Sequence, residues 1–271
     1  MASQKVRIAQ LRKMKQEGRR ICMLTASDMP TGRIVAEAGV DIILVGDSLG
    51  NVVLGHDDTI PVTLDDMIHH TAAVARAHPR ALLVGDMPFM TYKLTPEQAL
   101  ANAARLVQEG GAQAVKVEGG TEIAPTVRRI VDAGIPVMGH IGLTPQSIHQ
   151  LSGYRVQGRG PTARERMIAD ARALDEAGAF AIVIELTPSE VARDVTQAVS
   201  CPTIGIGAGP HTDGQVLVLY DMLGLCFGPP PKFVKQFANL RQEMQRAVEA
   251  YCQEVRAGAY PALEHEYSEE R

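Results

Sequence analysis

Eight short apolar runs, at about residues 21–26, 41–46, 81–86, 114–118, 136–140, 180–185, 202–206 and 222–226, punctuate this 271-residue chain. Most intervals between them are rich in Ala, Glu, Arg and Leu and read as helices. Strand followed by helix, eight times over, forces parallel strands joined by right-handed crossovers. Eight such units close into a (β/α)8 TIM barrel, for which about 250 residues is typical. An open, doubly wound sheet is the competing α/β arrangement. No break in composition divides the chain, so residues 1–271 are expected to form a single barrel domain. Hydrophobic residues make up 45% of the chain and Trp is absent, with aromatics at 4%. The core must therefore be built from Val, Ile, Leu, Ala and Met, which suits parallel strands buried on both faces.

The connections carry their own signals. Residues 7–20 read as an N-terminal amphipathic helix, with Ile8, Leu11 and Met14 at helical spacing and Lys13, Lys15 and Arg19 left to solvent. Thr63 to Asp66 is a capping-box variant that opens a helix over 63–78. Thr95, with Pro96 at the first helical position, opens another that ends at Gly110-Gly111. Thr187 to Glu190 repeats the start signal. A long C-terminal helix is expected over 232–256, with Phe233, Phe237 and Leu240 on one stripe. Two connections, at 47–61 and about 142–162, are too long for simple turns and suggest lids or binding elements.

Composition excludes several function classes. Net charge is −4 with both signs spread along the chain, which argues against nucleic acid as a partner. Cys22, Cys201, Cys226 and Cys252 form no CxxC pair and are expected to be buried, reduced thiols of a cytosolic protein. No leader-like segment opens the chain, and no apolar run approaches the roughly 18 residues of a membrane span. A cytoplasmic protein without membrane partners is the expectation.

Chemistry enters where the strands stop. Five runs end on an ionisable residue: Asp47, Asp86, Glu118, His140 and Glu185. The C-terminal strand ends of a parallel barrel form its active face, so these five share one rim. Any one alone could be a helix cap or loop ion pair, but five together gather repelling charge that needs a cation or protons. Carboxylate oxygens of this kind select Mg²⁺, which keeps waters and accepts a chelating substrate. Lys116, two residues before Glu118, points to the same interior side of its strand. It would pair with Asp86 or Glu118, or hold a substrate carboxylate. Ser48 follows Asp47 in a tight turn that could meet an anion or only cap backbone. The glycines at 205–209 suggest a phosphate loop only weakly, since they also permit a sharp turn. His56, His69, His70 and His149 show no metal-ligand spacing and are expected on surfaces or helices.

The strings VGDSLGNVVLGHDDTIPVT, DMPFMTY, VKVEGG, GHIGLTPQS, GYRVQGRG, IGIGAG, DGQVLV and PKFVK, with residues 261–265 near the end, resemble ketopantoate hydroxymethyltransferase. The match runs from about residue 20 to 267. The resemblance implies a (β/α)8 barrel that transfers a hydroxymethyl group from 5,10-methylenetetrahydrofolate to 3-methyl-2-oxobutanoate, giving 2-dehydropantoate on the path to pantothenate and coenzyme A. It implies one Mg²⁺ per subunit at Asp47, Asp86 and Glu118. The ketoacid would be held by Asp47, Ser48, Asp86 and Lys116, with Glu185 as proton acceptor, and the assembly would be a homodecamer. His140 fits an orienting or substrate-contacting role rather than ligation.

Some positions depart from the family pattern. Ser27 stands where the family usually has tyrosine, Gly85 where it has alanine, and the tail reads Glu264 to Tyr267 rather than Glu-His-Ser-Phe. The alternative activity is another Mg²⁺-dependent 2-oxo-acid lyase or mutase of the phosphoenolpyruvate mutase and isocitrate lyase type. Those enzymes use a cysteine in a lysine-rich loop, and the segment after His140 contains no cysteine. A non-catalytic relative is a third possibility, opposed by the intact charged set.

Overall fold

The protein is described here from a computed structural model covering residues 5–268. It comprises two compact units, one running to Leu219 and the other from Tyr220. In the first, eight parallel strands close a barrel in sequence order: β1 (Ile21–Thr25), β2 (Ile42–Val45), β3 (Leu82–Asp86), β4 (Ala114–Glu118), β5 (Val137–Gly142), β6 (Ala181–Glu185), β7 (Thr203–Ile206) and β8 (Gly214–Leu217). The expected α/β barrel class holds. The eighth strand does not lie at 222–226. It lies at Gly214–Leu217, where Gly214 pairs with Ile21 on one side and Ile204 on the other. No helix separates β7 from β8, so the alternation used to count strands lapses there. The apolar run at 222–226 instead follows a short helix, Leu219–Met222.

The intervening helices are α1 (Ile8–Gln16), α2 (Met29–Glu37), α3 (Leu49–Val52), α4 (Leu64–Ala75), α5 (Pro96–Gln108), α6 (Ala124–Asp132), α7 (Pro161–Glu176) and α8 (Ser189–Ala198). Thr63 forms the capping box with Asp66, each side chain taking the other's backbone N–H. Thr95 accepts from the Gln98 N–H at the start of α5. Thr187 does not cap α8. Its hydroxyl donates to the Glu185 carbonyl, turning the chain directly after β6. The long connection after β5 holds a 3-10 turn at Pro145–Ser147 and reaches α7 only at Pro161.

Barrel layers explain where chemistry can sit. Ile21, Met23, Ile42, Leu44, Leu82, Val84, Met138, Ala181, Val183, Ile204 and Val216 fill the interior, and Val6, Leu11 and Met14 join them from the N-terminal side. Helix α1 is thus amphipathic as expected, but Lys15 is not solvated. Its ammonium bonds the carbonyls of Thr196, Val199 and Cys201 and pairs with Asp213 at 3.1 Å, because backbone acceptors around β7 lie within its reach. In β3, β4 and β5 the interior turns polar toward the C-terminal half of the strand, at Asp86, at Lys116 and Glu118, and at His140. The register sets Asp86 beside Lys116 and Glu118 beside His140.

The second unit contains α9 from Tyr220 onward (Leu219–Met222) and α10 (Leu240–Ala257). The C-terminal helix is shorter than expected, so Phe233 and Phe237 precede it rather than lying on its stripe. The Phe237 N–H is held by the Met222 carbonyl, and that of Leu240 by Leu223. Met244, Val248, Tyr251 and Val255 form the apolar stripe of α10, and all are exposed. All four cysteines are free; Cys201 is buried, but Cys22 is exposed on an outward position of β1, and Cys226 and Cys252 are only partly buried, contrary to the expectation of burial. Among the described residues, no helix is long and apolar enough to cross a membrane.

Candidate active site

The strand-end residues converge on one cavity of about 100 Å³ at the C-terminal mouth of the barrel. It is lined by Asp47, Ser48, Asp86, Lys116, Glu118, His140 and Glu185. That is small beside the roughly 300–1,000 Å³ of pockets for drug-sized ligands, so it suits a small metabolite. Leu44, Val183, Ile206, Val216 and Val218 supply an apolar part of the same lining.

Asp47, Asp86, Glu118, Lys116 and His140 are all at most 4% exposed. The Lys116 ammonium lies 3.0 Å from Asp86 Oδ2 and 3.9 Å from Glu118 Oε1, and 3.2 Å from His140 Nδ1. His140 spans two carboxylates, with Nδ1 3.3 Å from Glu118 Oε1 and Nε2 3.0 Å from Glu185 Oε2. The Asp47 backbone N–H donates to Asp86 Oδ2 at 3.3 Å. Glu185, with its side chain 16% exposed, stands at the more open side of the cluster.

Burial sets the titration of these groups, and neighbours then divide them. Asp47 is pushed well above the usual carboxylate range by desolvation and by the charges of Asp86 and Glu118. Desolvation also raises Asp86 against the pull of Lys116. Glu118 resists burial and falls below its ordinary value, because His140, Lys116 and the Gln146 N–H favour its anion. For Lys116, burial opposes the charge, yet Asp86, Glu118 and Asp47 outweigh it and hold the ammonium protonated. Burial and Lys116 likewise oppose protonation of His140, but Glu118 and Glu185 raise it to about 9.

The cluster's charge bears on a cation. With all four carboxylates ionised, the Lys116 ammonium and a protonated His140 would leave a formal excess of two negative charges, a repulsion that the upward shifts of Asp47 and Asp86 reflect. Asp86 Oδ1 and Glu118 Oε1 are buried without a hydrogen-bond partner. Buried anionic oxygens without a hydrogen bond are costly, and a divalent hard cation answers both the charge and these two oxygens, of which Glu118 Oε1 has only ion-pair contacts with His140 and Lys116. Among the described residues, no three His, Cys, Asp or Glu side chains are already drawn into a ready-made metal cage. A site that shares its ion between a few carboxylates, waters and substrate does not need one.

Ser48 opens α3 without capping it through its side chain, which leaves its hydroxyl on the cavity wall. Leu186, directly after Glu185, adopts a left-handed conformation (φ 45°), uncommon for a residue with a Cβ. Gly142 has φ 91°, and a Cβ there would come 2.2 Å from the Glu185 carbonyl, so only glycine lets the β5 loop leave beside β6. Gly209 is similarly confined, by Ser189, which favours the sharp-turn reading of residues 205–209. Ser27 is buried with its hydroxyl unpartnered, while its carbonyl lies 2.6 Å from His70 Nδ1.

Two residues not anticipated from the sequence join the cluster. The Tyr92 hydroxyl accepts from the Glu118 N–H at 3.0 Å and donates to Gln146 Oε1 at 2.7 Å. Gln146 Nε2 donates to Asp47 Oδ2 at 2.8 Å. Both lie in strings, DMPFMTY and GHIGLTPQS, that carry the family resemblance. Nothing in residue type alone distinguishes them from other loop polars.

A family model described as ketopantoate hydroxymethyltransferase matches residues 5–263. A 3-methyl-2-oxobutanoate hydroxymethyltransferase of Thermoanaerobacter sp. (strain X514) is 56% identical over 268 residues, covering 99% of this chain and 98% of the relative. That of Moorella thermoacetica is 57% identical over 263 residues, covering 97% and 98%. Among solved structures, 2,3-dimethylmalate lyase, a member of the PEP mutase/isocitrate lyase superfamily, aligns with a TM-score of 0.60 at 19% identity, over 97% of this chain and 91% of that one. Phosphonopyruvate hydrolase in complex with oxalate and Mg²⁺ aligns at 0.62 with 13% identity, over 96% and 93%. At such identities the structural likeness shows the fold alone.

Proposed function

Because the chain belongs to the ketopantoate hydroxymethyltransferase family, we propose that its barrel mouth transfers a one-carbon unit from 5,10-methylenetetrahydrofolate to 3-methyl-2-oxobutanoate, giving 2-dehydropantoate. The observation that carries this reading is a full-length family match whose charged strand ends all face one small, half-apolar cavity. Asp47, Asp86 and Glu118 would hold one Mg²⁺ per subunit. When bound, the ion polarises the ketone of a chelated 2-oxo acid.

The chain's own groups do the rest. Lys116 offers its ammonium to the substrate carboxylate, and Ser48 supplies a hydroxyl on the same wall. Leu44, Val183 and Ile206 face the branched aliphatic end. Glu185 accepts the C3 proton through its carboxylate, and His140, 3.0 Å away, fixes that carboxylate and balances its charge. C3 then forms its bond to the methylene carbon as the bond from that carbon to one folate nitrogen breaks. The bond to the second folate nitrogen breaks as the oxygen of water joins the same carbon; the C3 proton and one proton of that water end on the two nitrogens. Water supplies the hydroxyl, and tetrahydrofolate leaves.

A homo-oligomer, decameric as in the family, accords with the exposed stripe of α10. A cytoplasmic location accords with a biosynthetic role. The deprotonation half-reaction tests the site by itself. In D₂O with Mg²⁺ and no folate, the protein should replace the C3 hydrogen of 3-methyl-2-oxobutanoate, collapsing the methyl NMR doublet to a singlet. Bound ketoacid without exchange would contradict it, and fragments from carbon–carbon cleavage would favour the lyase alternative.

A further inference from the structure

We propose that Gln146 is a positioning residue that sets which oxygens of Asp47 and Glu118 are presented to the cation, with Tyr92 locking its orientation. The inference rests on the metal role proposed for those carboxylates.

Gln146 sits in the 3-10 turn after β5 and is 1% exposed. Its backbone N–H donates to Glu118 Oε2 at 3.0 Å. Its side-chain Nε2 donates to Asp47 Oδ2 at 2.8 Å and to the Met87 carbonyl at 2.9 Å. One residue thereby ties the ends of β2 and β4 and the backbone just past β3. A carboxamide can face either way, and the wrong face would set its oxygen against the Asp47 anion. The Tyr92 hydroxyl prevents that flip by donating to Oε1. Tyr92 is itself fully buried and held by the Glu118 N–H.

The consequence is a division of labour within each carboxylate. Glu118 has Oε2 occupied by the Gln146 N–H, whereas Oε1 makes no hydrogen bond and has only ion-pair contacts with His140 Nδ1 at 3.3 Å and Lys116 at 3.9 Å. Asp86 repeats the pattern by other means, with Oδ2 occupied by Lys116 and the Asp47 N–H and Oδ1 left bare. Asp47 is tied at Oδ2. Each carboxylate is thus turned to offer one oxygen, as an ion that retains waters and a chelating substrate requires. The loop at 142–160 is anchored through the same residue, so its base cannot move without disturbing two ligands.

The test measures Mn²⁺ affinity by EPR in the absence of ketoacid, alongside circular dichroism and thermal unfolding in EDTA. Gln146→Met keeps volume but removes both side-chain donors and Oε1. It should weaken Mn²⁺ binding about 10–100-fold, the usual cost of losing an outer-shell partner. Tyr92→Phe should weaken it in the same direction by about threefold or more, a share of that cost because it frees the carboxamide without removing it. The double variant should lose less than the product of the two, because Tyr92 acts through Gln146. A folded Gln146→Met protein with affinity within about twofold of wild type, below the range outer-shell losses produce, overturns the proposal. If that variant does not fold, an equally unchanged Tyr92→Phe protein does. Asp86→Asn, which Gln146 does not touch, separates the premises. If it too leaves Mn²⁺ binding intact, the metal site itself is misplaced.

Discussion

Glu185→Gln is expected to abolish exchange of the C3 hydrogen of 3-methyl-2-oxobutanoate and to lower transfer by about 10²–10⁴-fold, the usual contribution of a positioned general base. That range corresponds to about 3–5 kcal/mol of barrier. Glutamine preserves the shape of the side chain and can still face His140 Nε2 through Oε1, but its amide takes no proton at working pH. Asp47, Asp86, Glu118 and Lys116 are untouched, so Mg²⁺ and ketoacid should bind with near-wild-type affinity. Calorimetry and NMR exchange on one preparation separate these outcomes. Exchange at the wild-type rate would remove Glu185 from the base role.

Lys116→Met should produce the largest effect on stability. The ammonium is 4% exposed and lies 3.0 Å from Asp86 Oδ2. Removing it leaves buried carboxylates facing one another without their principal counter-charge. Breaking a buried ion pair by deleting one partner costs about 3–5 kcal/mol. For a chain of this size that lowers the unfolding midpoint by about 2–4 °C per kcal/mol. The loss should be greatest in EDTA. Saturating Mg²⁺ should restore part of it, since a ligand at 100 times its Kd stabilises by about 2.7 kcal/mol. The ketoacid KM should rise in the same variant, because its carboxylate loses a partner. An unfolding midpoint in EDTA equal to wild type would show that Lys116 is not the site's structural cation.

How much of this was legible in the sequence depends on what each residue does locally. Asp47, Asp86, Glu118, His140 and Glu185 could be found because a strand that stops on a charge has a readable pattern, and the closed barrel sends all five to one cavity. Lys116 was found by the two-residue period of β4. Strand β8 leaves little trace because no helix precedes it, and the apolar run at 222–226 imitates a strand. The apolar spacing of α10 continues N-terminally through Phe237 and Phe233, but the backbone bond from Phe237 to Met222 holds that stretch out of the helix. Lys15 looked solvated because charge suggests exposure, whereas three carbonyls around β7 were within its reach. Gln146 and Tyr92 were invisible for another reason. Their contacts join residues 26 to 99 positions apart in the chain, and neutral polar loop residues leave no periodic trace.

The central claim is that these strand ends form a one-carbon transferase site. Purified protein should be mixed with Mg²⁺, 3-methyl-2-oxobutanoate and 5,10-methylenetetrahydrofolate, and 2-dehydropantoate followed by mass spectrometry. The account predicts 2-dehydropantoate and tetrahydrofolate in equal amounts, abolished by EDTA and restored by added Mg²⁺. Well-folded protein that binds the ketoacid but forms no 2-dehydropantoate would contradict it.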